Sequence, residues 1–519
     1  MCQIVSLQFS PLWIEPYSGD LALYMNMGTH WFEGVRPYAE VIDTKGPALF
    51  ELFALLEIMG LNNYVSVLFL VCVFWFIGAW YIKKLCLLFY SNFTALVLSV
   101  ACISFMSVFG LGGSALSVER LILPLYIIPW YYFFKFYQSG KIMSRKVSLG
   151  IGALLSIFFW IKFSLVIGVL VPFVYWGYCA MRNLRTGNSI LFRRMIQICA
   201  SFTGVTLIIF VPLIFSGNLC SMLQHYGLAF FQNSGIGFDL KRFIKTITLY
   251  FFVQENYSLA VLVSGAVLVS SIGFAMSRSI DYKIKLLSVA SYLFTGIVCS
   301  FYWPGATSLT FIYQLVWVFI SSGSFYKQYF RSVRFRRRLF VVLSLGFCFS
   351  CLANIYDHNT SLVTVRFDQP IENNISVDQS FTVQSSNITP AYHYCYLSNQ
   401  FEKESTLMLT DYETANHISY YGCIEPSTAY VYPTNLHYAQ LIHDNSFRDI
   451  LNENVRKQLS DGVYKQVLLD VNDLKNFQNN TWVKILYGYG FELKEIYRST
   501  LPVYSNKGYQ FRCLFAVRH

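Results

Sequence analysis

The chain has 519 residues, of which 55% are hydrophobic, 18% aromatic and only 13% charged, with a mean hydropathy of +0.45. Soluble domains carry about a quarter charged residues, so this composition excludes an ordinary soluble enzyme. The formal charge of +11 splits into +15 over residues 1–354 (26 Lys+Arg against 11 Asp+Glu) and −4 over residues 355–519 (13 against 17), and basic residues confined to short loops argue against a nucleic-acid partner.

The chain opens on a short apolar stretch, Met1 to Ile14, without a basic flank. It is neither a full helix nor a signal peptide, and is expected to be the outer end of a first span whose remainder lies upstream. Residues 17–60 are amphipathic and too polar to cross a bilayer. Gly34, Pro37, Gly46 and Pro47 punctuate this segment into helix, turn and helix, expected to lie on the outer membrane surface.

Apolar runs follow at 64–82, 85–108, 121–137, 147–161, 163–181, 195–216, 247–277, 286–303, 308–326 and 339–354. Runs of about 20 apolar residues read as transmembrane helices. Lys83 and Lys84 follow the first run, Lys141, Arg145 and Lys146 the third, and Arg182, Arg185, Arg193 and Arg194 the fifth. Arg278, Lys283 and Lys285 follow the seventh, and Lys327 to Arg338 the ninth, while the even loops are poorer in cations. The positive-inside rule then places odd loops in the cytoplasm and both 1–63 and 355–519 outside. The expectation is an α-helical polytopic membrane protein of about ten spans (64–354) in the cytoplasmic or inner cell membrane, with a C-terminal extracytoplasmic α/β domain (355–519). Within the tail, TSLVTVRF (360–367 with its flanking Thr), YKQVLLDV (464–471) and QFRCLFAV (510–517) read as strands, and DNSFRDILNENVRKQLSD (444–461) as an amphipathic helix capped by Asp444 or Asn445.

Cys72, Cys102, Cys199, Cys299 and Cys348 lie in apolar runs and read as small buried hydrophobes. Cys395 and Cys423 lie in the tail and could form a disulfide if that tail is outside the cytoplasm, with Cys513 left over. His225, His393, His417, His437 and His443 show no metal-ligand spacing.

The acids are the most informative feature. Of the eleven carboxylates in residues 1–354, seven fall in the first 60: Glu15, Asp20, Glu33, Glu40, Asp43, Glu51 and Glu57. Carboxylates at membrane level are more often functional than those on a soluble surface.

The segment that holds them resembles the first extracytoplasmic loop of the GT-C glycosyltransferases, the class of the protein O-mannosyltransferases and the bacterial lipid A aminoarabinose transferases. Asp20, Tyr24 and Gly28 match its opening Asp, aromatic and Gly; Gly34, Pro37 and Tyr38 its middle; Asp43, Lys45, Gly46 and Pro47 its D-x-K-G-P end. Leu21, Asn26 and Glu40 depart from the usual residues. FGLGGSALSVERLILPLY (109–126) is similar to the class's second extracytoplasmic motif, with Glu119 at the first Glu and Arg120 in place of the second.

The resemblance implies an inverting transfer of a sugar from a polyprenyl phosphate to an acceptor hydroxyl on a glycan, lipid or protein, next to membrane lipid. Asp20 would be the catalytic base. Lys45 would sit at the lipid phosphate, with Lys162 and Arg120 as further cations, and Tyr38 would line the site. Asp43 and Glu119 would orient the sugar or hold a divalent cation, should one be used. Each residue also has a structural reading. Asp20 suits a helix N-cap, Lys45 and Lys162 suit snorkelling anchors, Asp43 can pair with Lys45, and Glu119 with Arg120. The competing functions are an envelope polysaccharide polymerase or ligase, a lipid-linked-sugar transporter or flippase, and a non-catalytic scaffold. A transporter should bury ionisable residues mid-span in repeated halves, and beyond Gln254 and Glu255 near one run there is little of that kind.

Overall fold

A computed structural model describes residues 19–32, 34, 38, 45–106, 118–139, 142–187, 189–223, 226, 281–301, 381–382, 406–409, 459–471, 481–499 and 511–518, with isolated positions at 240, 243, 244, 453, 456 and 457. The described residues are largely helical.

The first loop forms two helices, α1 (Gly19–Phe32) and α2 (Pro47–Ile58), which pack against each other. Proline suits the first helical position, where its missing N–H and fixed φ cost nothing. Helix α3 (Tyr64–Leu87) starts at an Asn63 cap whose side chain accepts from the Ser66 N–H at 2.9 Å. A break at residues 88–91 separates it from α4 (Asn92–Met106). Helix α5 (Val118–Ile122) runs through a 3-10 turn (Leu123–Tyr126) into α6 (Ile127–Ser139). Then come α7 (Arg145–Ile161), α8 (Ser164–Arg185), α9 (Ile190–Phe215) and α10 (Tyr282–Phe301).

Seven of the expected apolar runs therefore fall on helices. Helix α3 extends past its run because Lys83 and Lys84 continue the helix, laying their ammonium groups over Trp80 and Tyr81. By length and composition, α3 and α9 are long and apolar enough to cross a membrane. The described part of α4 has 15 residues, and α6 has 13 beyond the 3-10 turn that joins it to α5. The runs at 247–277, 308–326 and 339–354 lie outside the described residues.

Helices α7 and α9 make the most extensive pair. Polar side chains join them: Ser201 donates to the Leu149 carbonyl at 2.7 Å, Ser156 bonds Thr206 at 3.0 Å, and the Trp160 indole donates to the same Thr206 hydroxyl at 2.9 Å. Inside lipid such bonds hold helices together, since apolar contact alone gives little preference over the tails. The opposite face of α9 is apolar and exposed, as at Leu207, Ile208 and Phe215. Helix α8 packs on α7, α9 and α10, and α6 reaches it through Phe133–Trp176 and Tyr137–Tyr175 ring contacts. These antiparallel connections bring the C-terminal ends of α3, α6 and α8 and the N-terminal ends of α7, α9 and α10 to one end of the bundle. Lys83, Lys84, Arg145, Lys146, Arg182, Arg185, Arg193, Arg194, Lys283 and Lys285 gather there. The first-loop helices pack at the other end, against the C-terminus of α7.

Toward the C-terminus, five strands among the described residues form a mixed sheet in the order β1-β4-β5-β3-β2: β1 (Phe381–Thr382), β2 (Thr406–Leu409), β3 (Gln466–Val471), β4 (Phe491–Ser499) and β5 (Phe511–Arg518). Strand β5 lies antiparallel to both β3 and β4, while β2 pairs β3 and β1 pairs β4 in parallel. Helix α11 (Thr481–Gly488) precedes β4 and packs on it. Two of the three expected strands coincide with β3 and β5. The third, at 360–367, lies outside the described residues, as do Cys395 and Cys423. Of the expected helix at 444–461, only Glu453, Arg456, Lys457, Leu459 and Ser460 are described as helical.

Candidate functional site

The first-loop motif closes on the end of α7. The Gly46 N–H donates to the Ile161 carbonyl at 2.8 Å. A Cβ at Gly46 would lie 1.8 Å from the Trp160 carbonyl oxygen and 2.4 Å from its carbon. Only glycine lets the two backbones meet this closely. Lys45 precedes Gly46, and Lys162 follows Ile161 as the C-cap of α7. One backbone hydrogen bond thus joins the segments of two lysines that lie 117 positions apart in sequence. Both are half-buried.

Lys45 is held from several sides. The Tyr38 hydroxyl donates to its carbonyl oxygen at 2.8 Å. Its ammonium lies 5.4 Å from the centre of the Tyr24 ring, within cation–π range. Tyr38 is buried and adopts φ 65°, a left-handed conformation that costs a bulky residue strain energy. Its ring packs on Phe50 at 6.1 Å, and Tyr24 packs on Phe53 at 5.8 Å. These contacts fix the turn against α2.

Helices α1 and α2 approach closely at the motif's other glycine. A Cβ at Gly28 would fall 2.5 Å from the Phe53 carbonyl carbon and 2.7 Å from its Cβ. At the next residue of α1 and one turn further along α2, Thr29 donates to Glu57 Oε2 at 2.7 Å, and Asn62 Nδ2 reaches Glu57 Oε2, Thr29 Oγ1 and the Met25 carbonyl at 2.8, 3.0 and 2.9 Å. This polar clamp ties α1, α2 and the entry to α3 together.

Asp20 is the second residue of α1 as bounded, rather than the residue before it. It lies four positions before Tyr24, so its Cα shares a helix face with the ring beneath Lys45. Glu119 and Arg120 are on α5. The turn that continues α5 reaches the same end of α7, where Tyr126 stacks on Phe158 at 6.2 Å. The side chains of Asp20, Glu119 and Arg120 lie outside the described residues, as does all of Asp43. The structure therefore brings together Tyr38, Lys45 and Lys162, and sets the backbone of Asp20 on their side of α1.

Sequence reading assigned no role to four participants. Trp160 and Ile161 supply the surface that receives Gly46. Tyr226 donates to the Phe159 carbonyl and packs on Phe159, Trp160 and Phe163, tying the segment after α9 to the same place. Glu51, in the second turn of α2, has Oε1 cut off from solvent without a hydrogen-bond partner. Burial pushes its carboxyl up from the ordinary 4.5 to about 8. The signal for Glu51 was legible as one ionisable residue in the otherwise apolar run PALFELFALL. Among the described residues, no three His, Cys, Asp or Glu side chains come together as a metal site.

No protein-family model matches this sequence, and no curated protein matches it either. Among solved structures, the crystal structure of the Archaeoglobus fulgidus oligosaccharyltransferase in complex with Zn and sulfate is similar over 93% of this chain and 68% of that one, at 11% identity and a TM-score of 0.44. At that level a likeness carries no argument about chemistry.

Proposed function

We propose that this chain is an integral-membrane inverting glycosyltransferase, moving a sugar from a polyprenyl phosphate to an acceptor hydroxyl on the extracytoplasmic face. The observation that supports it best is the seating of the Lys45–Gly46–Pro47 end of the motif on α7, which sets Lys45 and Lys162 on either side of the Gly46–Ile161 hydrogen bond. The gathering of loop cations at the opposite end of the bundle supports the orientation, because that end would face the cytoplasm.

In the proposed step, Asp20 accepts the proton of the acceptor hydroxyl as its oxygen attacks the anomeric carbon. Attack comes from the face opposite the phosphate, so the new C–O bond forms as the bond to the phosphate oxygen breaks. The electron pair leaves with the lipid phosphate. Lysine serves as a point charge for phosphate, and Lys45, aided by Lys162 and Arg120, neutralises the charge that develops there. Asp43 and Glu119 orient the sugar, and would be the residues to hold a divalent cation if the donor brings one. The acceptor, whether glycan, lipid or protein, approaches from the aqueous side.

The test compares wild type with Asp20→Asn and Lys45→Ala in cells, with expression checked and surface glycans and lipid pools read by mass spectrometry. Loss of one sugar from the glycan in both variants, with the lipid-linked donor accumulating, is the expected result. Unchanged glycans and lipid pools in both, where deletion of the gene does change them, would overturn the reading.

A further inference from the structure

Glu51 is an ionisable residue in an apolar helix at the membrane end of the site, and nothing in the proposed step uses it. Its Oε1 is sealed from solvent and has no hydrogen-bond partner. A buried polar group left unpaired is costly, and in a native protein it needs an explanation. Leucine would satisfy this position if packing were its only role. An ionisable residue kept at membrane level is by default a functional one.

Its place on α2 narrows the explanation. Glu51 is four residues after Pro47, so the two share a helix face about 6 Å apart along the axis. Pro47 directly follows the pinned Lys45–Gly46 turn. In the other direction along that face come Leu55 and Ile58, which are 56% and 62% exposed. Glu51 therefore lies between a seated lysine and a bare apolar strip. That sequence of surfaces fits an amphiphile with an anionic head and a hydrocarbon tail. Burial keeps the carboxyl protonated at neutral pH, so it can donate an O–H to an oxyanion instead of repelling it.

We propose that Glu51 is a further substrate-binding residue, a neutral carboxyl that donates a hydrogen bond to the phosphate of the isoprenoid carrier beside Lys45, with the tail leaving over Leu55 and Ile58. This rests on the lipid-phosphate reading above and adds to it a second, uncharged contact to the head group. The titratable groups that neighbouring elements carry at this end are Tyr24, His30 and Asp20 of α1, Glu57 of α2 itself, and Lys162 at the end of α7. Helix α9, which also packs on α2, carries Arg193 and Arg194 near its far end.

The full chain in nanodiscs is titrated with tritiated farnesyl phosphate at pH 7, as wild type, Glu51→Leu, Glu51→Gln and Lys45→Ala, with thermal midpoints recorded for each. Glu51→Leu should fold as well as wild type, since it removes a sealed carboxyl oxygen that has no partner, yet bind the probe at least about tenfold more weakly, as the loss of a charge-assisted bond implies. Glu51→Gln, whose amide still donates, should stay within about threefold. Inorganic phosphate, lacking the tail, should compete poorly; equal competition would overturn the tail-binding strip. A stable Glu51→Leu that binds like wild type, with Lys45→Ala weakened, would overturn the role of Glu51 and leave the lipid-phosphate site standing. Wild type without affinity for the probe would overturn both. If Glu51→Leu fails to fold, the pH profile decides. Wild-type affinity should fall above about pH 8 relative to Glu51→Gln, and superimposed profiles would overturn the proposal.

Discussion

The Tyr38 hydroxyl donates to the backbone carbonyl of Lys45 at 2.8 Å, while the Tyr38 backbone holds φ 65°. A strained residue thus positions the lysine that the proposed chemistry needs. Strain of this kind persists only where surrounding contacts over-determine it, here the Phe50 ring and the Gly46–Ile161 bond. Tyr38→Phe keeps the ring packing and removes one hydrogen bond. The expected cost is about 1 kcal/mol, or about fivefold in transfer rate, with little change in expression. A cell-based donor-turnover assay on membranes of matched protein content checks it.

Gly46 is the least replaceable position in the turn. A methyl group there would overlap the Trp160 carbonyl, which is backbone and cannot swing aside. Gly46→Ala must push the Lys45 turn off α7 and break the Gly46–Ile161 bond. Transfer should fall at least about a hundredfold, since displacements of about 1 Å at a reacting centre are that costly. The thermal midpoint should also drop. Gly34→Ala is a useful contrast. Among the described residues no atom beyond its chain neighbours lies within 4 Å of its added Cβ, but its φ of 102° makes the substitution strained, so it should cost stability without the same collapse of activity.

Much of this was legible in sequence, for identifiable reasons. The helices followed from apolar runs, and the loop cations marked one end of the bundle because they recur after alternate runs. Gly28 and Gly46 were visible as motif glycines, but what they touch was not. The contacts of Gly28 with Phe53 and of Gly46 with Trp160 join segments 25 and 114 positions apart. Lys162 stood out only as a cation between two runs. Its approach to the segment of Lys45 depends on the antiparallel return of α7, which local pattern cannot specify. Glu51 was counted among seven clustered acids and hidden by them; what separates it from Glu57 is a sealed Oε1 without a partner, whereas Glu57 Oε2 accepts from both Thr29 and Asn62.

That second carboxylate gives a stability prediction. Asn62 Nδ2 serves Glu57, Thr29 and the Met25 carbonyl at once. Asn62→Ala removes the shared donor while leaving the acceptors partly shielded, and should destabilise by about 1–3 kcal/mol. Glu57→Gln keeps a carbonyl oxygen that can accept from both Thr29 and Asn62 at the place of Oε2, and should cost less. Because the clamp sits where α1 and α2 meet the entry to α3, both changes should loosen the first loop more than the bundle. Hydrogen exchange of the full chain in nanodiscs, comparing peptides from 19–62 with peptides from 145–215, checks this directly.

Glu51 couples the stability of this region to pH. Burial raises its folded-state pKa from 4.5 to about 8, so between those values the folded protein holds a proton that the unfolded chain has lost. Stability from this group is fully present below about pH 4.5, declines as pH rises toward 8, and changes no further above it. The sign is opposite to that of a salt-bridged carboxylate, which loses stability on acidification. Thermal midpoints of wild type should therefore fall between pH 5 and 8 more steeply than those of Glu51→Gln, which has no proton to lose there. The two curves should run parallel above about pH 8.5. Identical slopes across pH 5 to 8 would mean that Glu51 is ionised and solvated at neutral pH, and could not serve as a hydrogen-bond donor to a lipid phosphate.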